Sequence, residues 1–599
     1  MDTMAARTRD FTIGLDFGTT HTGISYGFSL DQDVFSVEQW PNLDKTLTKA
    51  QKTPTLIAYQ PSGATAVWGY EAKEESRGKL CGWMKFHLDR RCPFTEHDDS
   101  RLATALWPDG LFRCKVGKKT PEQITTDYLK KVFEFTMKNL HESTENLIYI
   151  TKIRWWIATP ANWSGQARTR LQLAVEAAAK AARMSRDDDE FNFVTEADAT
   201  MFSLLEMANI SSSPKPPIKD GDTVLVCDCG AGTVDVAVYE VVSASSPAEL
   251  REVVAGRGGK CGSSCINLSF DQFMADRFGE AYDKVAPKKK RMESEFMKEF
   301  ECHMQKFDTH EDPYRFVDPS LPLCMQDVSE AIVDQGQYTD GFVILTSKDM
   351  EKIFRDTITK VIELISKQHD AATKGTKAKR ITRLMLAGGF SQFPYLQRQV
   401  RKWCRARGIE IIIDPNSWGA VSRGAVLRGL ERMNVSTHLS RLHCGILCHQ
   451  PFDEKLDAGR ERHKDPAGGR DLVANTVKWY TRRGADISKH VNRTKKFSKD
   501  LNETKREITV RIVSCKLDTA PRHSEDPGVE LVAELRVVPS NPQWERCRAE
   551  AAKSKRSTVR FTFRIEETVG STQGSLVYRA VTTDGTPIGQ TEIELPKLD

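Results

Sequence analysis

Two short stretches set carboxylates beside glycines and threonines at matching spacing. One is Asp16-Phe17-Gly18-Thr19-Thr20; the other is Asp228-Cys229-Gly230-Ala231-Gly232-Thr233-Val234-Asp235. A polyphosphate needs donors at close range, and backbone N–H groups on a glycine turn supply them because no Cβ blocks the approach. Gly18 with Thr19 and Thr20 suits one such cradle. Gly230, Ala231, Gly232 and Thr233 suit a second. Asp16 and Asp228 suit a hydrated Mg2+, which needs only one or two carboxylates beside phosphate oxygens. Asp235 follows the second cradle, where a carboxylate can orient an attacking water. One copy alone reads as an ordinary glycine hairpin. Two copies, each with Asp two places before Gly and Thr close behind, predict two facing elements that clamp one phosphate ligand.

The elements that must position these residues are legible around them. Apolar runs from Phe11 to Leu15 and from Val224 to Cys227 precede the two turns, and further apolar stretches follow, so each copy reads as strand, turn, strand. Residues 11 to 207 alternate strands and helices. Ser164 is the expected cap of an alanine- and leucine-rich helix reaching Arg183. A proline- and serine-rich stretch, Ser211 to Pro217, separates this segment from a second one that starts over with the other hairpin. There, helices are expected over Met292–Phe307, after the basic run Lys288–Arg291, and over Tyr395–Arg405 behind Pro394. A strand is expected over Arg383–Ala387. A last helix, about Trp418 to Arg432, carries Gly419, Gly424 and Gly429 at a spacing that does not keep them on one face. Beyond residue 435 the pattern changes to period-two runs such as Ile508, Val510, Ile512 and Val559, Phe561, Phe563, Ile565, which predict an antiparallel β unit. The charged, glycine-rich segment 453–470 reads as a mobile loop. Gln543–Arg556 reads as a short helical or disordered insert. The domains expected are therefore 1–210, 211–435 and 436–599.

Composition narrows the class. With 39% apolar and 28% charged residues over 599 positions, the chain can build ample cores. A net charge of +5 is small for this length, so composition does not call for nucleic acid or an anionic membrane. A basic cluster from Lys478 to Lys499, set among Trp479, Tyr480 and Phe497, reads as solvated strand faces and loops. No apolar run suits a membrane span, and the polar start Met1–Asp10 lacks a signal-peptide core, so a cytoplasmic setting, with nuclear entry open, is expected. The 14 cysteines then read as reduced, and pairs such as Cys227/Cys229 as buried thiols.

The two hairpins resemble the phosphate loops of the actin, hexokinase and 70-kDa heat-shock superfamily, and most closely the 70-kDa heat-shock ATPase domain. Three further places extend the resemblance across residues 11 to 432: Ile157-Ala-Thr-Pro160-Ala-Asn-Trp163, Thr195-Glu196-Ala197-Asp198-Ala199, and Leu386-Ala-Gly388-Gly389-Phe390-Ser391. The resemblance implies duplicated actin-like (ribonuclease-H-like) α/β lobes with a nucleotide cleft between them. It implies ATP or ADP with Mg2+ as ligands. It places Lys85 against the transferred phosphate, Glu196 beside metal and water, Gly262 near the terminal phosphates, and Gly388, Gly389 and Phe390 at the adenosine.

Departures from the family pattern concentrate at the base. Glu301 matches the adenine-clamp glutamate, but Met304 and Gln305 stand where lysine and arginine are expected, and Gln392 replaces an arginine. Ala231 replaces the middle glycine of its turn. The acidic, leucine-rich linker is replaced by Glu431-Arg-Met-Asn-Val-Ser436, and the sequence ends in strands without the family's helical lid. The resemblance thus implies a divergent, lidless relative: an Mg-dependent ATPase with nucleotide-driven lobe closure, engaging a protein client or regulator through its C-terminal unit. One alternative is a nucleotide-binding switch or scaffold with negligible hydrolysis. Another is a small-molecule kinase of the same superfamily.

Overall fold

The computed structural model describes residues 11–594 apart from 30–32, 42–48, 61–64, 75–78, 90–93, 107–109, 113, 145–151, 162, 164, 183–188, 209–217, 309–318, 375–377, 414–416, 465–468, 489–492, 503–505, 554–557 and 570–574. The chain divides into two compact units, Met1–Val435 and Ser436–Asp599.

The first unit is mixed α/β and is built on two main sheets. In the first sheet the strands run in the order Phe35–Ser36, His21–Phe28, Phe11–Phe17, Ile153–Thr159, Glu190–Thr195. Phe11–Phe17 pairs antiparallel with its hairpin partner on one side and parallel with Ile153–Thr159 on the other. The second sheet repeats this arrangement. Thr223–Cys229 pairs antiparallel with Val234–Ser243 and parallel with Arg383–Ala387, which in turn runs parallel to Glu410–Ile413. Both leading strands, Phe11–Phe17 and Thr223–Cys229, are buried along their whole length. Continuous apolar runs are what a strand with a covered face on each side requires.

The covering helices explain that burial. Pro121–Thr144 and Gly165–Ala181 supply Val132, Phe133, Leu171 and Val175 to a core with Phe11, Ile13 and Trp155. Ser264–Phe278, Glu295–Lys306 and Ser347–Thr373 do the same for the second sheet, around Leu225, Phe270, Phe300 and Val361. A third core contains Trp156 and Ala158 from the first sheet and Val224 and Val226 from the second, joined by Phe202 and Leu427 of the helices Glu196–Ala208 and Ala420–Gly429. No helix among the described residues is long and apolar enough to cross a membrane.

Several expected boundaries shift for local reasons. The helix expected from Met292 starts at Glu295, because the Ser294 hydroxyl accepts from Met297 N at 3.2 Å and caps it there. The helix expected over 418–432 is confined to Ala420–Gly429, and Glu431 beyond it takes a left-handed φ of 58°, which stops propagation. Ser164 and Arg183 lie outside the described residues; the helix between them is Gly165–Ala181.

Among its described residues the second unit has two antiparallel sheets and one helix. One sheet contains Asp471–Thr481, His443–Pro451, Ile508–Cys515 and Val529–Val537; the other contains Arg493–Leu501, Val559–Val569, Ser575–Val581 and Pro587–Glu594. Ile508, Val510 and Ile512 alternate with exposed residues and meet Phe561, Phe563 and Ile565 in one core, which also takes Trp544 from the helix Asn541–Lys553. The segment read as a mobile loop is anchored in its described part: the Asp457 carboxylate accepts from Arg522 Nε at 2.7 Å and from Asp453 N at 2.7 Å. Charge pairing there replaces the missing apolar content. The basic cluster is likewise only partly solvated. Arg493 turns inward onto the fully buried Glu567, which also accepts from Tyr578 and Thr481.

Candidate functional site

Both glycine turns have their carbonyls taken by neighbouring elements. In the first, Gly18 O accepts from the Thr55 hydroxyl at 3.0 Å, and Thr20 O accepts from Thr55 N at 2.7 Å. A Cβ on Gly18 would stand 2.1 Å from His21 O, so the turn closes only with glycine there. In the second, the carbonyls of Gly232, Gly230 and Ala231 accept from the amides of Gly262, Ser263 and Ser264 at 3.2, 3.3 and 2.9 Å. Gly262 is thus the contact that braces the second turn: a Cβ there would meet Ala231 O at 2.4 Å.

The two turns meet. A Cβ on Gly232 would fall 2.2 Å from Thr19 Oγ1 and 3.2 Å from the Phe86 ring. Thr19 and Thr233 are both buried, whereas Thr20 is half-buried, its hydroxyl 3.2 Å from His21 Nδ1. Gly388, with φ of +85°, comes against the same place, where a Cβ would lie 2.4 Å from Asp228 Oδ1. Gly389 lies beside the Trp418 indole, which also meets the His21 ring edge-on at 5.2 Å.

A buried charge cluster lies at this junction. Asp16, at the end of its strand, is ion-paired with Lys52. Lys85, on the short helix Met84–Leu88, is ion-paired with Glu196 and lies 5.9 Å from the Trp163 ring centroid. Lys85 is therefore no surface lysine; it is 4% exposed. Glu196 is held at the first turn of its helix by a local cap, in which Thr195 and Asp198 bond reciprocally at 2.6 and 3.0 Å. Asp228 accepts from the Thr200 hydroxyl at 3.2 Å, one helical turn further on. Asp235 Oδ1 accepts from Ala161 N at 2.9 Å, so the turn after Ile153–Thr159 fixes that carboxylate. Its other oxygen, Oδ2, is buried without a hydrogen-bond partner.

The titration behaviour follows from this crowding. Burial, then Glu196 and Asp16, push the Asp228 carboxyl from 3.8 up to about 7. Burial and the Glu196 charge raise Asp235 well above the usual carboxylate range. Burial alone would lower the Lys85 ammonium, but Glu196, Asp16 and Asp235 outweigh it and raise it. Four carboxylates, Asp16, Glu196, Asp228 and Asp235, thus share one buried locus with two ammonium groups, Lys52 and Lys85. Burial and mutual repulsion favour the neutral forms of Glu196, Asp228 and Asp235, and a divalent cation beside them would favour the ionised ones. Among the described residues no three ligating side chains converge at direct bonding range.

A family model described as a domain of unknown function (DUF8340) matches residues 219–413. Across 72% of its length the chain is 24% identical to human heat shock 70 kDa protein 12B, covering 70% of that protein. It is also 24% identical to mouse heat shock 70 kDa protein 12A, again over 72% of this chain and 71% of the relative. The chain is thus similar, at 23–24% identity, to proteins named heat shock 70 kDa protein 12A and 12B. The residues expected at the adenine behave unevenly. Glu301 is half-buried, accepts from Asn267 Nδ2 at 3.3 Å, and is pushed up to about 7 by burial. Met304 is turned into the apolar core, so no charged side chain could serve a ligand from that position, while Gln305 is exposed. Gln392 donates to the Ser417 hydroxyl at 3.0 Å. Phe390 does not present its ring to the site. It packs edge-on to Phe393, 5.0 Å away, in the core, because the tight turn Gly389–Gln392 aims it inward.

Sequence reasoning missed Lys52, Thr200, Asn267, Trp418 and the Ala161 amide. Gln51-Lys52-Thr53-Pro54 carries no spacing that ties residue 52 to Asp16; only the pairing of Thr53 and Pro54 with Thr22 and His21 brings it there. Thr200 had a signal, since it lies four residues, one helical turn, beyond Glu196.

Proposed function

We propose that this protein is a heat-shock-70-like nucleotide-binding protein that hydrolyses ATP in an Mg2+-dependent reaction at the junction of the two glycine turns, between duplicated lobes that close on the nucleotide. The observation that carries this reading is the buried charge cluster where Thr19 meets Gly232, with Asp235 Oδ2 left unpartnered. A triphosphate would be received by the amides and hydroxyls of Thr19, Thr20 and Thr233 and by the backbone of Gly18, Gly230, Ala231 and Gly232. A bound Mg2+ would supply charge neutralisation for the phosphate oxygens, with Asp16 and Asp228 holding its waters. Asp235 is suited to orient the attacking water and take its proton, because one oxygen is anchored on Ala161 N and the other is unclaimed. Lys85 is suited to the terminal phosphate and Glu196 to positioning Lys85. Gly388 beside Asp228, Gly389 beside Trp418, and Glu301 with Asn267 would receive the nucleoside. The 436–599 unit is proposed to engage a protein client or regulator, in a cytoplasmic setting.

The test is phosphate release from ATP by the purified chain with and without Mg2+, repeated with Asp16→Asn and Asp228→Asn. Release that needs Mg2+ and is lost in both variants is expected. Absence of release from wild type, with ATP still bound in calorimetry, would move the conclusion to a second reading, a nucleotide-binding switch without turnover. The ion pairs favour that reading: both lysines of the cluster are engaged by carboxylates rather than poised toward a phosphate.

A further inference from the structure

Lys52 is the member of the cluster that no motif announces. It is 8% exposed, and its ammonium is ion-paired with Asp16, one of the two carboxylates suited to the metal. The placement is built from several sides. Thr53 and Pro54 pair with Thr22 and His21, directly after the first glycine turn. The Tyr70 hydroxyl donates to Lys52 O at 3.0 Å. The aliphatic stem lies over Gly23, where an added Cβ would meet Lys52 Cγ at 3.1 Å. Its charge also acts beyond its partner: it favours the ionised forms of Glu196 and Asp228 and opposes protonation of His21.

We propose that Lys52 is a resident cation of the phosphate site, doing at Asp16 part of the charge compensation that a divalent ion would otherwise supply. A nucleoside triphosphate then binds this chain with little dependence on Mg2+. The inference rests on the nucleotide-binding reading above. The physical ground is that an ammonium is a compact point charge with three donors, able to serve a carboxylate and a phosphate oxygen together. Its charge adds to that of a metal held at Asp16 and Asp228, so the share of phosphate neutralisation left to Mg2+ in binding is smaller.

The experiment is calorimetric titration of the full chain with ATP, in excess Mg2+ and again in EDTA. Wild-type affinities in the two conditions are expected to agree within about 10-fold. Lys52→Met keeps the stem over Gly23 and removes the charge; it should weaken binding in EDTA by about 30-fold or more while changing binding in Mg2+ by less than about 3-fold. A wild-type affinity more than about 100-fold weaker in EDTA overturns the inference, and so does an equal loss in both conditions for Lys52→Met. The wild-type comparison stands by itself should Lys52→Met fail to fold. Binding of ATP with a metal dependence that Lys52→Met leaves unchanged removes only the role of Lys52. No binding of ATP in either condition removes the nucleotide reading as well.

Discussion

Asp235 and Gly232 are the residues at which chemistry and packing can be separated. Asp235→Asn keeps an oxygen for the Ala161 amide and removes the carboxylate charge, so the fold should hold. Loss of a positioned base costs about 100-fold or more in turnover; the expected outcome is phosphate release reduced by that factor with an unchanged melting temperature. Gly232→Ala puts a methyl 2.2 Å from Thr19 Oγ1 and forces the turns apart. ATP affinity should fall about 10-fold, and Thr19→Ala in the same chain should recover part of it, as expected for residues in contact. Calorimetry on the two single variants and the double variant measures that coupling; additive losses would mean that the turns do not act on one ligand.

Elements matter here chiefly through close approach and anchoring. Gly424 faces the helix Glu196–Ala208, where a Cβ would lie 1.7 Å from Ala199 O, while Gly429 faces Thr12 and Trp156 and Gly419 faces Gln51. The helix Ala420–Gly429 is therefore packed on more than one side, which is why Gly424 and Gly429 are both needed although, five residues apart, they share no face. Gly424→Ala should destabilise the first unit by about 3 kcal/mol, at the upper end for overpacking, read as a shift in the denaturant midpoint. In the second unit, Arg522 first among its neighbours holds the Asp457 carboxyl down from 3.8 to about 2. A depressed acid contributes stability that is present above its unfolded value and is lost as pH falls through its folded one. Asp457→Asn should therefore lower the melting temperature clearly at pH 7, with the gap to wild type narrowing as the pH falls from about 5 toward about 3. A gap independent of pH would mean the loss came from packing rather than charge.

On the scale of the whole molecule, the nucleotide reading assigns ligand stabilisation to Met1–Val435. ATP at about 100 times its dissociation constant should stabilise that segment, expressed alone, by about 2.7 kcal/mol. Thermal denaturation with and without ATP checks this. A segment that folds and shows no shift would contradict the assignment of the binding residues to it.

Period-two and continuous apolar runs announced the strands that carry Asp16 and Asp228, because side-chain alternation and double-sided burial are local properties of a chain. The same locality made the repeated Asp-x-Gly turns and Asp235 legible as candidates, whereas Glu196 is reached only through the family resemblance. Local pattern could not say that Lys85 is buried on Glu196, that Ala161 anchors Asp235, or that Met304 and Phe390 turn into the core. Nor could it bring Lys52 to Asp16. Those facts depend on which strands pair and which helix faces touch, and Coulomb and hydrogen-bond energies act over a few ångströms of space, not over separation along the chain.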